Sequence, residues 1–481
     1  MRTRTAPSRR IRYQSRAMNT IVDRRSGFSA FLDRRFGYSA RGSSLRIEAV
    51  GGLSTFLTMS YILFVNPAIL SAAGLPFSAV AVATALAAAV TTLAMGLIAN
   101  YPFALASGLG LNAVVAFDVI LGRKLPWQTG MAVVVVEGLI AVLLVAAGLR
   151  EAVMRAIPNS LKLSIGVGIG LFITLIGLRE GGIVVNNPAT GIGLGELTSG
   201  PALIALFGIF VAGSLAVRQV RGALLIGIAA ATATGLIFGV LNGPDGVAHA
   251  PHSSDFSTIG DSLSHIGDAL TVALIPVIFS LFMTDFFDTL GTAYGLGEAA
   301  GAIDENGELP RIGRVLMVDS AAAAVGGAAG VSSVTTYIES GAGVGEGART
   351  GLASVVTAAL FGLAIFFVPI IGLVGQDVQI AKDTFIHPAI APAMVVVGYM
   401  MMRLVQLIDW SDPEVAFPAF LLIAGIPLTF SISAGIGFGV IGHVLVKVVK
   451  GKAREVSPLM YALVPLFIAF YASGWLERHV F

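Results

Sequence analysis

Apolar runs of about 17 to 25 residues recur along almost the whole chain, and that is the length of helix needed to cross the hydrocarbon core of a bilayer. They fall at 47–73, 79–99, 103–122, 128–148, 158–178, 201–217 and 222–241, and again at 268–297, 313–330, 331–348, 350–373, 385–404, 415–430 and 434–449. Only 12% of the 481 residues are charged, against about 25% in a soluble protein. No polar stretch after residue 46 is long enough to build a soluble domain. The expected fold class is therefore an all-α polytopic membrane protein of about 14 transmembrane helices. A further apolar stretch, Pro458 to Trp475, reads as an extra span or an interfacial segment.

Charge placement gives the orientation. With the N-terminal tail inside, the inner loops and the C-terminal linker hold Arg150, Arg155, Arg218, Arg221, Arg311, Arg314, Arg349, Arg403, Lys447, Lys450, Lys452 and Arg454; the outer loops hold only Arg123, Lys124, Arg179 and Lys382. This asymmetry supports both the span count and a cytoplasmic N-terminus. The expected organisation is a basic tail (1–46), a first seven-span repeat (47–241), an extracytoplasmic loop (242–267), a second seven-span repeat (268–449) and a C-terminal segment (450–481). The tail carries 12 Arg and no Lys. It mimics a transit peptide but reads as a cytoplasmic tail, or as an over-long start with Met18 as initiator. The expected location is the plasma membrane.

The halves echo each other. Ser107-Gly-Leu-Gly-Leu and Ser340-Gly-Ala-Gly-Val share one pattern at an offset of 340 − 107 = 233 residues, which also pairs Tyr61 with Tyr294. Seven is odd, so the second half enters the membrane from the opposite side, as in the inverted repeats of many transporters. The third span of each half begins extended or β-branched and turns glycine-rich, the composition of a short strand leading into a half-helix. Such a break survives at membrane depth only where it is buried in protein or lines a cavity.

Acidic residues sit beside these breaks: Asp285 and Asp288 in Phe282-Met-Thr-Asp285-Phe-Phe-Asp288-Thr-Leu-Gly291-Thr292, and Glu339 in Ser332-Ser-Val-Thr-Thr-Tyr-Ile-Glu339-Ser-Gly-Ala-Gly343. A carboxylate at bilayer depth is costly and marks a functional site by default. Asp285 and Asp288 lie three apart on one helical face. Two carboxylates that close, in low dielectric, do not readily both ionise, so the pair suits a shared proton. Asp319 reads as an inter-helix hydrogen-bonding group, and Phe286 and Phe287 as packing aromatics. The absence of cysteine excludes disulfides and thiolate chemistry. The six scattered His residues give no expected metal motif, and no catalytic pair or cofactor motif marks an enzyme.

In order along the chain, Gly52-Leu-Ser-Thr-Phe-Leu-Thr-Met-Ser-Tyr-Ile-Leu-Phe-Val-Asn-Pro67, Gly108-Leu-Gly-Leu-Asn112-Ala, Asp285-Phe-Phe-Asp288-Thr-Leu-Gly-Thr292, Val318-Asp-Ser320, Thr335-Thr-Tyr-Ile-Glu-Ser-Gly-Ala-Gly343, Arg349-Thr-Gly351 and Pro427-Leu-Thr-Phe-Ser431 resemble the nucleobase–cation symporter-2 superfamily, within it the AzgA-like hypoxanthine/guanine/adenine permeases. The resemblance implies fourteen helices in two inverted repeats, core and gate domains, and proton-coupled uptake of a purine nucleobase by alternating access. It points to Asp285, Glu339 and Asn112 as substrate-site positions, with Asp288 in support. Ser340, Gly341 and Gly108 are expected to offer backbone amides to the base; Thr58, Tyr61 and Thr292 are expected to line or support the site. The partners so implied are a purine, protons and the bilayer, with homodimerisation left open and nucleic acid excluded. The alternatives are a uracil or xanthine transporter of a sister branch, and an anion transporter on the same seven-plus-seven fold.

Overall fold

A computed structural model describes residues 27–148, 157–244, 246–271, 274–304, 309–381 and 384–479. Helices occupy every expected span. Among the described residues, eight are long and apolar enough to cross a bilayer unaided: Leu45–Ser71, Phe77–Ala99, Trp127–Ala146, Asn159–Glu180, Gly200–Val217, Ile312–Ala329, Gly351–Val374 and Ile432–Val449. Spans seven, twelve and thirteen are shorter, at Ala223–Ile237, Ala391–Leu407 and Pro413–Thr429. Span eight is a helix over Ile275–Ala299. It starts later than its apolar run because Pro276 sits in its first turn, where the missing N–H costs nothing. The last apolar stretch is a helix, Pro458–His479, whose Met460, Leu463 and Phe467 are buried in the main core.

Spans three and ten are the broken pair. Strand β1 (Leu105–Ser107) leads into the short helix Leu109–Ala113. Its counterpart, numbered β4 in chain order, is Val334–Thr336, which leads through a single tight turn into Gly341–Gly345. The strands pair antiparallel, Leu105 with Thr336, Ala106 with Thr335 and Ser107 with Val334. Equivalent segments entering from opposite faces thus meet at mid-membrane, as an inverted repeat requires. Spans five, six, seven, twelve, thirteen and fourteen pack largely on one another as the gate; spans one to four and eight to eleven form the core domain around the strand pair. Two hairpins that the apolar pattern did not show, β2–β3 (Val184–Asn187, Gly191–Leu194) and β5–β6 (Val378–Ala381, Thr384–Ile386), lie in the loops before spans six and twelve.

The halves are joined by polar groups placed at helix ends. Glu48, fully buried in the first turn of span one, accepts from the amides of Arg349, Thr350 and Ala353 at the start of span eleven, at 2.9, 3.3 and 3.3 Å. A carboxylate there completes the unpaired N–H groups and the positive end of the helix dipole. Asn100, left-handed at φ 58°, accepts from Gly351 N at 2.9 Å. Gly351 has no room for a side chain, since a Cβ would lie 2.0 Å from the Gly96 carbonyl oxygen. Gly351→Ala therefore forces spans two and eleven apart. The expected cost is about 1–3 kcal/mol of overpacking, read as a lower thermal midpoint in detergent. Gly362→Ala, which meets nothing within 4 Å, serves as the neutral control.

At the end of the bundle opposite the N-terminal arginines, His387 bridges the gate helices. Its Nδ1 lies 2.8 Å from Glu180 at the end of span five, and its Nε2 lies 3.0 Å from Asp377. Burial opposes the imidazolium, but hydrogen bonds and charge from Asp377 and Glu180 outweigh it and raise the His387 pKa from 6.5 to about 9. A pKa raised in the folded state stabilises fully below 6.5 and is lost as pH rises through about 9. Thermal stability should therefore fall across that window, and His387→Gln should flatten the fall.

Candidate functional site

The paired strands account for the backbone groups exposed by the two helix breaks. Gly108 N donates to Ser333 O at 2.9 Å and Tyr337 N to Ala104 O at 3.0 Å, continuing the ladder at its ends. Ala104 N donates to Ser340 Oγ at 2.9 Å, and Ser340 N to Tyr337 O at 3.1 Å. This corrects one expectation. The Gly108 and Ser340 amides are spent on holding the break together, and the Gly341 amide turns back to Glu339 and Ile338, because an unpaired N–H at this depth costs several kcal/mol. Gly108 still matters sterically: a Cβ would lie 3.0 Å from Leu111 and Thr335.

Glu339 sits at the turn after β4 and is partly exposed, as is Thr58, whereas its neighbour Ser340 is fully buried. Tyr61 donates to Glu339 Oε1 at 2.6 Å, and Thr58 Oγ1 approaches the Glu339 carbonyl at 3.3 Å. Span one thus supplies both side chains that the sequence placed near the site, from the break between Met59 and Ile62. Tyr61 anchors one carboxylate oxygen, and no described ion pair or other side-chain hydrogen bond occupies Glu339.

Span eight presents its two aspartates differently. Asp288 is open to solvent, whereas Asp285 is only 2% exposed and accepts from Ser333 Oγ at 3.3 Å. Thr292, one turn beyond Asp288, is buried. Phe286 packs on Phe282 with ring centroids 5.4 Å apart, so it is a core aromatic as expected; the Phe287 side chain lies outside the described residues. Asp319 is fully buried and accepts from the Thr336 amide at 2.9 Å and its hydroxyl at 2.8 Å, with Thr289 as a third donor. It ties span nine to β4 and span eight, as the sequence suggested.

Asn112 is fully buried, close to Ser107 rather than to open space. Its amide and the Ser107 hydroxyl are 2.7 Å apart, and that hydroxyl also bonds the Val331 carbonyl. The hydroxyl donates to the Asn112 side-chain oxygen, while the buried Asn112 Nδ2 has no hydrogen-bond partner among the described residues. In this conformation Asn112 braces β1. Two contributors escaped the sequence reading. Tyr337 donates to the Ser107 carbonyl and so crosses between the repeats, and Ser333 covers Asp285. Their partners lie 230 and 48 residues away, beyond the reach of local pattern.

One expectation about histidine also changes. His249, His252 and Asp255 place one ligand atom each within 4.8 Å of one another in the loop between the halves. Their polar atoms are engaged locally: Asp255 caps the His252 amide at 2.9 Å, and His249 Nδ1 bonds the Ala250 carbonyl at 2.8 Å.

The permease family's sequence model matches residues 46–438, nearly the whole membrane region. The chain belongs to that family. It is 42% identical to the guanine/hypoxanthine permease PbuG of Bacillus subtilis over 91% of this chain and 98% of that protein. It is 39% identical to the adenine permease AdeP of Escherichia coli over 91% and 95%. Among solved structures, the transmembrane domain of the cyanobacterial bicarbonate transporter BicA superposes with a TM-score of 0.56 at 15% identity, covering 81% of this chain and 97% of that one. At that identity the likeness concerns the seven-plus-seven inverted-repeat fold alone. The protein is a multi-pass membrane permease rather than an enzyme.

Proposed function

We propose that this permease carries purine nucleobases into the cell by proton-coupled alternating access, with its N-terminus in the cytoplasm and its bundle in the plasma membrane. The observation that carries the reading is Glu339: a partly open carboxylate at the mid-membrane helix break, held through one oxygen by Tyr61 at 2.6 Å. A neutral purine offers adjacent ring N–H donors, and a carboxylate receives them in charge-assisted bonds about twice as strong as neutral ones. Relatives named as guanine/hypoxanthine and adenine permeases support the same substrate class. An anion would need a cationic partner, and no described Lys or Arg is ion-paired with Glu339 or Asp288.

Asp285 and Glu339 form the substrate pair in this proposal. Ser333 Oγ donates to Asp285 at 3.3 Å, and in this reading a base N–H bonds the same carboxylate. Asp288, open to water on the same helix, is where a proton enters and leaves. In proteoliposomes, uptake of labelled hypoxanthine should follow an imposed inward proton gradient and collapse with a protonophore. Full uptake driven by sodium alone, indifferent to protonophore, rules the coupling out.

A further inference from the structure

Four arginines surround a cavity of about 440 Å³ at the end of the bundle where the N-terminal helix meets spans two and nine. Arg35 ends the helix Gly27–Phe36, Arg41 follows it, and Arg311 and Arg314 open span nine. No carboxylate lines the cavity. Arg35 donates to the Leu97 carbonyl at 2.6 Å, and Arg41 to the carbonyls of Asn100 and Arg349 at 3.0 Å each. These bonds fix two guanidinium groups in place and leave most of their five donors unused. Among the described residues, neither the Arg311 nor the Arg314 side chain has a hydrogen-bond or ion-pair partner. Four like charges around one concavity repel one another unless an anion sits among them.

The rim is apolar. Leu97 and Ile98, at the end of span two, are 39% and 52% exposed, and Phe28 and Phe31 on the N-terminal helix are 68% and 64% exposed. That helix is short, with bulky aromatics outward and Arg34 and Arg35 in its last turn. This is the pattern of a segment lying in a membrane interface. Its other side is fastened down: Phe36 and Tyr38 pack with Leu352 of span eleven, and Asn100 Nδ2 donates to the Phe36 carbonyl at 2.9 Å. The cavity therefore sits at headgroup level, between a fixed interfacial helix and the exposed side chains of span two.

We propose that this cavity binds the phosphate of an anionic phospholipid, with the acyl chains lying over Leu97, Ile98, Phe28 and Phe31. Guanidinium groups match phosphate oxygens in paired, charge-assisted bonds, and basic pockets between transmembrane helices are suited to such headgroups. On the orientation proposed above, the lipid belongs to the cytoplasmic leaflet; the binding chemistry does not depend on that orientation or on the transported substrate. A free phosphate ester offers the same oxygens but leaves the apolar rim uncovered, which is why the lipid is favoured. A bound lipid would pin the tail to spans two and nine of the core.

The test uses the full-length protein, delipidated in a neutral detergent. Native mass spectrometry and thermal midpoints are recorded with phosphatidylglycerol, with phosphatidylcholine and with inorganic phosphate. Phosphatidylglycerol should bind and raise the midpoint, while phosphatidylcholine and phosphate at equal concentration should not. Arg311→Gln/Arg314→Gln should weaken phosphatidylglycerol binding by at least about tenfold, since two charge-assisted contacts are lost. Arg218→Gln/Arg403→Gln, at the same end of the bundle but away from the cavity, should leave it intact. If the double variant at 311 and 314 does not fold, Arg311→Lys/Arg314→Lys, which keeps charge but loses the paired geometry, should still show weaker binding. Equal binding of phosphatidylcholine, an equal effect of phosphate alone, or unchanged lipid affinity in both cavity variants would overturn the proposal.

Discussion

Glu339→Gln should severely weaken purine binding while the protein still folds and inserts. The substitution keeps shape and removes charge from a group that receives only one described side-chain bond, from Tyr61. The Gln carbonyl can still accept that bond, so the break between β4 and its half-helix should hold. What is lost is a charge-assisted bond to the base, about 1.5–3 kcal/mol, or roughly 10- to 150-fold in affinity. Calorimetry on purified variant and wild type reads this directly. Wild-type affinity in the variant would remove Glu339 from the site. Tyr61→Phe should give a smaller loss, because it frees the carboxylate from its anchor without removing it.

Asp285→Asn and Asp288→Asn should fail in different ways. Asp285, covered by Ser333, is proposed to touch the base, so its variant should lose equilibrium binding by a factor similar to that for Glu339→Gln. Asp288 is open to water. Its variant should keep measurable binding yet lose accumulation against a gradient, or shift the pH dependence of uptake. Residues three apart on a helix are offset by about 4.5 Å along its axis, so a flat ligand held between Asp285 and Glu339 need not reach Asp288. Binding assays run beside proteoliposome uptake separate the two outcomes. Equal loss of binding in both variants would show one binding unit and no separate proton site.

The spans were legible because their apolar length is set by the bilayer, and the breaks because glycine and β-branched residues changed the local pattern at Ser107 and Ser340. Tyr61 and Thr58 were placed near Glu339 on the strength of the resemblance, and the geometry brings all three together. What escaped the sequence was partnership. The Gly108 and Ser340 amides looked available to a ligand, yet Gly108 bonds Ser333 O across the strand pair and Ser340 bonds Tyr337 O in its own turn. Asn112 reads as a substrate group, and in the structure its side-chain oxygen accepts from the Ser107 hydroxyl. Glu48 drew no reading from the sequence; it accepts from the start of a helix 301 residues away. None of these pairings leaves a periodic mark, because each depends on where single polar groups meet rather than on a repeating pattern.

The measurement that tests the central claim most directly is competitive uptake of labelled hypoxanthine by the reconstituted protein. Unlabelled guanine, adenine, xanthine, uracil and bicarbonate serve as competitors in wild type and in Glu339→Gln. The account predicts strong competition by at least one further purine, none by bicarbonate, weak or no competition by uracil, and loss of uptake in the variant. Hypoxanthine uptake that is absent in wild type, or that survives intact in Glu339→Gln, would contradict it.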